Sequence, residues 1–231
     1  MASQLASVWF VTGTDTGVGK TVMTAALIRQ IQDKGIDGLA IKPISSGARL
    51  DARLLRSAQE GRLSLPEINP WHFRAPLTPM LAARAEGQPL SLKAVEEFVR
   101  STAVRCRLLI IEGAGGLLSP LGEGFDARAL IRRFQARPIV VCANRLGAVN
   151  QAALAMNALG TAMHSKTCLV LMQLHPRKDL ATRTNRDCLQ ELFPRTTIIE
   201  IPYVASQEGQ LRGLGGGPGF QTLVDVVSSV P

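Results

Sequence analysis

The sequence predicts an α/β fold in a single domain, with a mostly parallel sheet flanked by helices on both faces. Short apolar runs alternate with longer segments of helical periodicity, which is typical of βαβ units. The apolar runs are nearly continuous, as expected for strands that helices cover on both faces. With 231 residues, 46% of them hydrophobic and 19% charged, the chain suits one domain over residues 1–231 and excludes a disordered or fibrous protein.

The predicted elements alternate between strand and helix along the chain. Six strands are expected, each a short apolar run, at 8–12, 39–41, 108–111, 139–143, 168–172 and 197–201. Six helices are expected between them, at 21–34, 51–58, 92–104, 127–135, 148–159 and 184–192. The glycine-rich segment 213–219 predicts a flexible loop, which any last helix would follow.

The charge balance bears on the class of partner. The 26 Lys and Arg against 18 Asp and Glu give a net charge of +8, which suits nucleic acid, a membrane surface or an anionic small molecule. The arginines form no continuous stripe and aromatic residues make up only 4% of the chain, so a nucleic-acid partner is not expected. No apolar run approaches the roughly 18–20 residues of a membrane span, so no membrane partner is expected either.

The cysteines, histidines and N-terminus predict a reduced protein of the cytoplasm. Cys106, Cys142, Cys168 and Cys188 show no CxxC spacing, and the middle two lie in apolar runs. The three histidines are scattered, so a metal site built from His or Cys is not expected. Residues 1–10 carry no Lys or Arg and run into a glycine-rich motif, so no secretory signal is expected.

A glycine-rich motif, GTDTGVGKT at 13–21, follows the first predicted strand and opens the first helix; we call it the phosphate loop. Its glycines let backbone N–H groups surround a polyphosphate, Lys20 reaches the β- and γ-phosphates, and Thr21 offers a hydroxyl to Mg²⁺. Five residues, rather than the usual four, separate Gly13 from Gly19, so a lengthened P-loop is expected.

Two carboxylates stand where oxygen ligands for Mg²⁺ are needed. Glu112 ends an apolar strand and precedes a glycine turn, the place of a Walker-B-like acid, although a solvated strand-end acid is the alternative. Asp51 lies at the start of a helix, where a metal ligand and an ordinary first-turn acid are equally good interpretations.

Two further segments follow predicted strands at the same sheet edge. In KPISSG at 42–47, which we call the Lys42 loop, Lys42 could stabilise charge in phosphoryl transfer, or could be an ordinary exposed lysine. In the segment 145–150, Gly147 and the following helix N-terminus could bind a carboxylate, or could form an ordinary turn. The residues alone favour the ordinary interpretation of both.

Together these segments resemble the dethiobiotin synthetase family of the biotin pathway. The resemblance extends from residue 10 to about 204 and rests on motifs in the family's order: GTDTGVGKT, IKPISSG, the helix start at Asp51, NPWHFRAPLTP, IIEGAGG with LLSPL, ANRLGAVNQA and EIPYV. It implies a single-domain P-loop NTPase-like fold that acts as a homodimer. It also implies an ATP- and Mg²⁺-dependent cyclo-ligase that converts 7,8-diaminopelargonate and CO₂ into dethiobiotin, with release of ADP and phosphate.

The resemblance also implies roles for individual residues. Lys42 and Lys20 would be the catalytic lysines, and Thr21, Asp51 and Glu112 would hold Mg²⁺. The nucleotide would contact the phosphate loop, the turn after the third strand and an adenine-side region, namely Asp15, Thr16, Gly17, Val18, Gly19, Lys20, Thr21, Asp51, Glu112, Gly113, Ala114, Gly115, Met172, Gln173, Pro202, Tyr203, Val204 and Glu208.

The substrate diamine would, by the same resemblance, lie between two subunits. Thr16, Ser46 and Gly115 of one subunit would contact its reacting end. The segment from the second subunit would bind its carboxylate through backbone N–H groups and an amide, using Leu146, Gly147, Val149 and Asn150. The homodimer would therefore complete the active site.

Three positions depart from the family's pattern. Met80 stands where a histidine usually follows Thr-Pro near the substrate pocket. Gln173 replaces the asparagine that reads adenine, although its amide offers the same donor and acceptor one methylene further out. The acidic residue of the adenine-side loop is placed at Glu208. Phosphate chemistry is therefore better supported than base recognition.

Two other functions use related folds. Partition-type switch ATPases commonly carry an additional lysine early in the phosphate loop, and residues 13–18 contain none. Corrinoid amide synthetases usually carry a glutaminase domain as well, for which 231 residues leave no room. The sequence therefore favours the cyclo-ligase over either alternative, although kinship of fold does not by itself fix function.

Overall fold

A computed structural model describes residues 6–204 and 217–229. In these ranges the strands are β1 (Ser7–Gly13), β2 (Gly38–Ile41), β3 (Ile44–Ser46), β4 (Trp71–Phe73), β5 (Leu108–Glu112), β6 (Arg137–Ala143), β7 (Cys168–Met172) and β8 (Thr197–Ile201). The helices are α1 (Lys20–Asp33), α2 (Leu50–Ala58), α3 (Leu65–Ile68), α4 (Pro79–Ala85), α5 (Leu92–Ala103), α6 (Ala127–Arg133), α7 (Ala148–Leu159), α8 (Leu180–Leu192) and α9 (Pro218–Ser228), with a 3₁₀ segment at Thr161–Lys166. All six predicted strands are confirmed.

The main sheet has six strands in the order β2-β5-β1-β6-β7-β8, and all its pairings are parallel. The central strand β1 pairs Phe10 with Ile111 on one side and with Pro138 on the other. Because parallel strands share one carboxyl edge, the residues after β1, β2 and β5 meet there. The topology thus brings the phosphate loop, the Lys42 loop and Glu112 together.

The core lies on both faces of this sheet. Trp9 and Phe10 point to opposite faces of β1, and both are fully buried. On one helix, α1, the side chains of Met23, Leu27 and Ile31 are also fully buried, and the helix packs on β1, β2 and β5. Elsewhere α7 packs on β6 and α8 packs on β8. Helices therefore cover the continuous apolar strands, as the sequence predicts.

Four small elements between β2 and α5 are absent from the sequence prediction. Residues 42–47 were expected to form a loop, but within them β3 pairs in parallel with β4 to form a second, two-stranded sheet. The short helices α3 and α4 are also unpredicted. Strands of three residues carry too few positions for periodicity to show, and their partner lies far along the chain.

The boundaries that differ from those predicted include two helix starts. Helix α8 begins at Leu180 rather than at 184, because Asp179 caps it by accepting a 2.8 Å hydrogen bond from the Thr182 N–H. The flexible loop predicted at 213–219 is wrong at its end, because Pro218 starts α9, where its fixed φ suits the first turn. Residues 213–216 lie outside the described ranges.

The cysteines are unpaired in the described residues, with Cys106, Cys142 and Cys168 buried and Cys188 exposed. Burial raises the pKa of Cys106 to about 11 and that of Cys168 to about 12, so both remain thiols at neutral pH. Within the same residues, every helix is too short or too polar to cross a membrane.

Candidate active site

The phosphate loop joins β1 to α1 at the carboxyl edge of the sheet. Gly17 and Gly19 have φ angles of 69° and 95°, a region that glycine adopts far more readily than other residues. The loop is tied to its neighbours by two backbone hydrogen bonds, from Thr14 N–H to the Val141 carbonyl (2.9 Å) and from Leu117 N–H to the Gly13 carbonyl (3.1 Å). The first turn of α1, with its unpaired N–H groups, therefore opens onto a fixed loop.

Lys20 is buried and reaches across the phosphate loop. Its ammonium donates to the Asp15 carbonyl at 2.7 Å. Burial lowers the pKa of Lys20 to about 8; the carboxylate of Glu112 acts in the opposite direction, and the nearby charge of Lys42 adds to the lowering. Polyphosphate in the loop would favour the charged form and satisfy the ammonium.

Lys42 lies between two carboxylates. Its ammonium donates to Glu112 Oε1 at 2.9 Å and also to Asp51 Oδ2. The side chains of Lys42 and Glu112 are 6% and 0% exposed, whereas that of Asp51 is 47% exposed. Burial alone would lower the pKa of Lys42, but the charges and hydrogen bonds of the two carboxylates outweigh it and raise the pKa. The lysine is therefore a buried cation in this structure.

The predicted metal ligands also meet at this point. Thr21 Oγ1 donates to Glu112 Oε1 at 2.6 Å, and Asp51 is joined to Glu112 through Lys42. Glu112 Oε2 is buried and has no hydrogen-bond partner among the described residues. A buried carboxylate oxygen that lacks a partner calls for a proton donor or a cation.

A cleft of about 370 Å³ opens above these residues. Most of the predicted phosphate, metal and reacting-end substrate residues line it, which brings together segments after β1, β2 and β5. The lining comprises Thr16, Gly17, Gly19, Lys20, Thr21, Val22, Lys42, Ser45, Ser46, Asp51, Ala114 and Gly115. Val22 and Ser45 are absent from the sequence prediction.

Four residues predicted near the phosphates of the nucleotide lie beside this cleft rather than in its lining, and one of them is the fully buried Glu112. Asp15 lines a separate groove with Leu118 and Gln151. Val18 is 3% exposed and belongs to the core. Gly113 packs on the ring of Phe10, where an added Cβ would lie 3.0 Å from a ring carbon.

Met172, the last residue of β7, and Gln173, which follows it, were predicted near adenine and are both buried. Met172 packs against the phosphate loop, where an added Cβ on Gly19 would lie 3.1 Å from the Met172 methyl group. The Gln173 amide donates to the carbonyls of His175 and Arg177 at 3.0 Å each, and Gln173 Oε1 is buried without a partner. Only the oxygen of this amide therefore remains free to accept.

The remaining adenine-side residues follow β8. Tyr203 is 43% exposed, and Pro202 and Val204 flank it at the end of the described range. Glu208 lies outside the described residues. Met80, at the position of the family's histidine, lines a neighbouring cleft of about 510 Å³ rather than the one above Lys42.

The segment predicted to bind the substrate carboxylate lies apart from the cleft of its own chain. Leu146 is 84% exposed, and Gly147, with a φ of 89°, is the N-cap of α7. Val149 is half-buried and Asn150 is exposed. The cleft lining includes none of these four residues.

Comparisons with known proteins identify relatives of this chain. A family described as an AAA domain matches residues 8–210. The ATP-dependent dethiobiotin synthetase BioD of Anaeromyxobacter dehalogenans (strain 2CP-C) is 38% identical over 211 residues, covering 89% of this chain and 94% of the relative. That of Akkermansia muciniphila is 33% identical, covering 84% of this chain and 91% of the relative.

Solved structures show the fold of P-loop NTPases. The cell division protein MinD of Aquifex aeolicus has a TM-score of 0.56 at 15% identity, covering 98% of this chain and 99% of its own. The signal recognition particle receptor FtsY of Elizabethkingia anophelis has a TM-score of 0.52 at 16% identity, covering all of this chain and 66% of its own. The likeness to these solved structures concerns the fold. The identity and coverage of the BioD relatives show that the chain belongs to the dethiobiotin synthetase family.

Proposed function

We propose that this chain is an ATP- and Mg²⁺-dependent cyclo-ligase of the cytoplasm that converts 7,8-diaminopelargonate and CO₂ into dethiobiotin. The observation that carries the proposal is the meeting of two buried lysines in one cleft. Lys20 reaches the cleft from the phosphate loop. Lys42 reaches it from the loop after β2, which is the neighbour of β5 on the side away from β1. A partition-type switch takes its additional lysine from the phosphate loop itself, whereas the second lysine here lies on a separate loop, where it can offset charge on a second anionic substrate.

The donor set fits a magnesium ion bound together with nucleotide. Thr21, Asp51 and Glu112 would hold it, and the unpartnered Glu112 Oε2 is a ready oxygen ligand. Within the described residues no group of three His, Cys, Asp or Glu side chains could hold a metal ion, so phosphate oxygens and water would complete the shell. When bound, the ion would neutralise charge on the phosphates.

The two lysines account for the main charge changes of the reaction. One substrate amine would lose a proton and capture CO₂ as a carbamate, and a carbamate oxygen would attack the γ-phosphorus of ATP and displace ADP. The second amine would then lose a proton and displace phosphate to close the ring. Lys20 would hold the phosphates as the charge moves, and Lys42 would offset charge on the carbamate. To do so, the Lys42 ammonium must leave Glu112 and Asp51, which now hold it.

The reacting end of the diamine would lie in the cleft beside Thr16, Ser46 and Gly115. The Ser46 hydroxyl now donates to the Leu77 carbonyl at 2.5 Å, so it would turn toward the substrate amine or carbamate on binding. Since Leu146 and Asn150 are exposed and away from the cleft of their own chain, we propose that they serve a second subunit's site in a homodimer.

The proposed function is tested by phosphate release from the purified protein with 7,8-diaminopelargonate, bicarbonate and MgATP. We expect release that depends on the diamine and is matched by dethiobiotin detected by mass spectrometry. The proposal is wrong if phosphate is released equally fast without the diamine. Omission of Mg²⁺ in the presence of EDTA serves as the control for metal dependence.

A further inference from the structure

Asn69, which directly follows α3, is a fully buried side chain beneath the Lys42 loop. Its amide Nδ2 donates to the carbonyl of Lys42 at 2.9 Å and to that of Pro43 at 3.4 Å. Its Oδ1 accepts from the Ser45 hydroxyl at 3.0 Å and from Arg49 Nε at 3.1 Å. The amide thus uses both its donor and its acceptor groups on four residues in and after this loop.

The backbone N–H and the backbone carbonyl of Lys42 are both hydrogen-bonded to one segment, at the adjacent residues Ile68 and Asn69. The Lys42 N–H donates to the Ile68 carbonyl at 3.0 Å, and the Lys42 carbonyl accepts from Asn69. Arg49 Nη2 donates to the Asn69 carbonyl at 2.6 Å, which ties the same segment to the residue before α2. The helix that carries Asp51 and the residue that carries the ammonium are therefore fixed relative to each other.

We propose that Asn69 is a positioning residue for Lys42 in the reaction. Asn69 carries no charge and does not line the cleft, so it contacts neither nucleotide nor substrate. Its effect reaches the site through the backbone of Lys42, whose ammonium must meet a phosphoryl group at a defined place. Misplacement of such a group by about 1 Å can cost about 100-fold in rate. The inference rests on the proposed function, because it assigns Lys42 a catalytic role.

A second buried amide provides a matched control. Gln59 is also fully buried, and its side chain bonds the N–H and carbonyl of Ala40 and the carbonyl of Leu55, at 2.8, 2.9 and 3.0 Å. It joins α2 to β2 but makes no bond to residues 42 or 43. Replacing either amide by the isosteric acid removes a donor in the core, so both changes are expected to lower stability.

The experiment compares Asn69→Asp with Gln59→Glu in the full chain, at a temperature where both variants are folded by circular dichroism. For Asn69→Asp we expect kcat to fall about tenfold or more while the KM for ATP changes less than about twofold. For Gln59→Glu we expect kcat within about twofold of wild type. Should Asn69→Asp not fold, Asn69→Ser is compared with Gln59→Ser in the same way.

A second readout needs no turnover and therefore separates this inference from the proposed function. Limited acetylation with acetic anhydride, followed by mass spectrometry, reports how well each lysine is shielded. Lys42 is 6% exposed and Lys93 is 85% exposed, so Lys93 is the internal reference. We expect Asn69→Asp to raise the acetylation of Lys42 relative to Lys93 several-fold, and Gln59→Glu to leave that ratio unchanged.

Each result of these two measurements either supports or contradicts the positioning role of Asn69. A selective fall in kcat together with selective loss of Lys42 protection supports the positioning role. Equal effects of the Asn69 and Gln59 changes, or an Asn69→Asp variant with normal kcat and a protected Lys42, overturn it. If wild-type protein has no ligase activity, the proposed function fails, and the acetylation ratio still decides whether Asn69 positions Lys42.

Discussion

The phosphate loop and the Lys42 loop lie at the same edge of the sheet, and each carries a buried lysine into one cleft. The phosphate loop is built from consecutive residues whose glycines set its shape, and Lys20 bonds a carbonyl five residues before it. The Lys42 loop depends on residues far along the chain, with Asn69 27 residues away and Glu112 70 residues away.

The two lysines also differ in their charge environment. Burial lowers the pKa of Lys20, because the opposing charge of Glu112 does not outweigh it, and the ammonium bonds a neutral carbonyl. The pKa of Lys42 is raised, because two carboxylates outweigh the effect of burial. Under the proposed function, the phosphate loop would accept an anion, whereas the Lys42 ammonium would exchange its present anionic partners for the substrate. We therefore propose that the first loop binds nucleotide and that the second supplies the chemistry.

The largest expected effect comes from removing each lysine's charge while keeping its stem, by Lys42→Met and Lys20→Met. Loss of one charge that stabilises a transition state costs about 100- to 1000-fold. We therefore expect Lys42→Met to lower kcat by that factor with the Kd for ADP within about threefold of wild type. For Lys20→Met we expect ADP binding to weaken about 100-fold, because charge-assisted bonds to phosphate are lost. Calorimetry gives Kd, and phosphate release gives kcat.

Two results would contradict this division of roles between Lys20 and Lys42. If Lys42→Met weakens ADP binding as much as Lys20→Met does, both lysines hold nucleotide phosphates and the division of labour is wrong. If Lys42→Met retains full kcat, the lysine has no role in the chemistry. Lys34→Met is the control for loss of a lysine charge, since Lys34 pairs with Asp225 on the surface at 2.8 Å.

The same contrast explains how far the sequence could predict the site. The phosphate loop and Glu112 were predictable, because a glycine motif and a strand-end acid are local patterns that the parallel sheet then places. The residues alone left Lys42 and Asp51 undecided; the family resemblance assigned their roles, and the structure shows their ion pair. Asn69 and β3 were missed, because their partners are more than 20 residues away and no local periodicity marks them.

A smaller effect is expected on the binding of a divalent cation in the absence of nucleotide. Lys42 lies between the carboxylates of Glu112 and Asp51, so we expect its positive charge to oppose the binding of a cation to the same two carboxylates. Removing one partner of a buried ion pair costs about 3–5 kcal/mol, so Lys42→Met should melt at a lower temperature. We expect this variant to bind Mn²⁺ about tenfold more tightly than wild type, and Mn²⁺ to restore much of its melting temperature.

Electron paramagnetic resonance of free Mn²⁺ measures the affinity, and scanning calorimetry measures the melting temperature. Lys34→Met again serves as the control and should bind Mn²⁺ as wild type does. Equal Mn²⁺ affinity in Lys42→Met and wild type would show that the ammonium does not oppose binding of the metal. The Lys42 loop would then be independent of the metal site.

The smallest expected effect comes from substituting one glycine in each loop. Gly17 and Gly47 have φ angles of 69° and 77°, and an added Cβ would meet no atom closer than 3.5 Å at either position. Gly17→Ala and Gly47→Ala therefore test backbone strain without a clash, and each should cost about 1 kcal/mol, or about 2–4 °C in Tm. Only Gly17→Ala should also weaken ADP binding, because only that glycine belongs to the phosphate loop. Equal weakening by Gly47→Ala, measured by calorimetry, would mean that strain in the Lys42 loop reaches the nucleotide and that the two loops act as one unit.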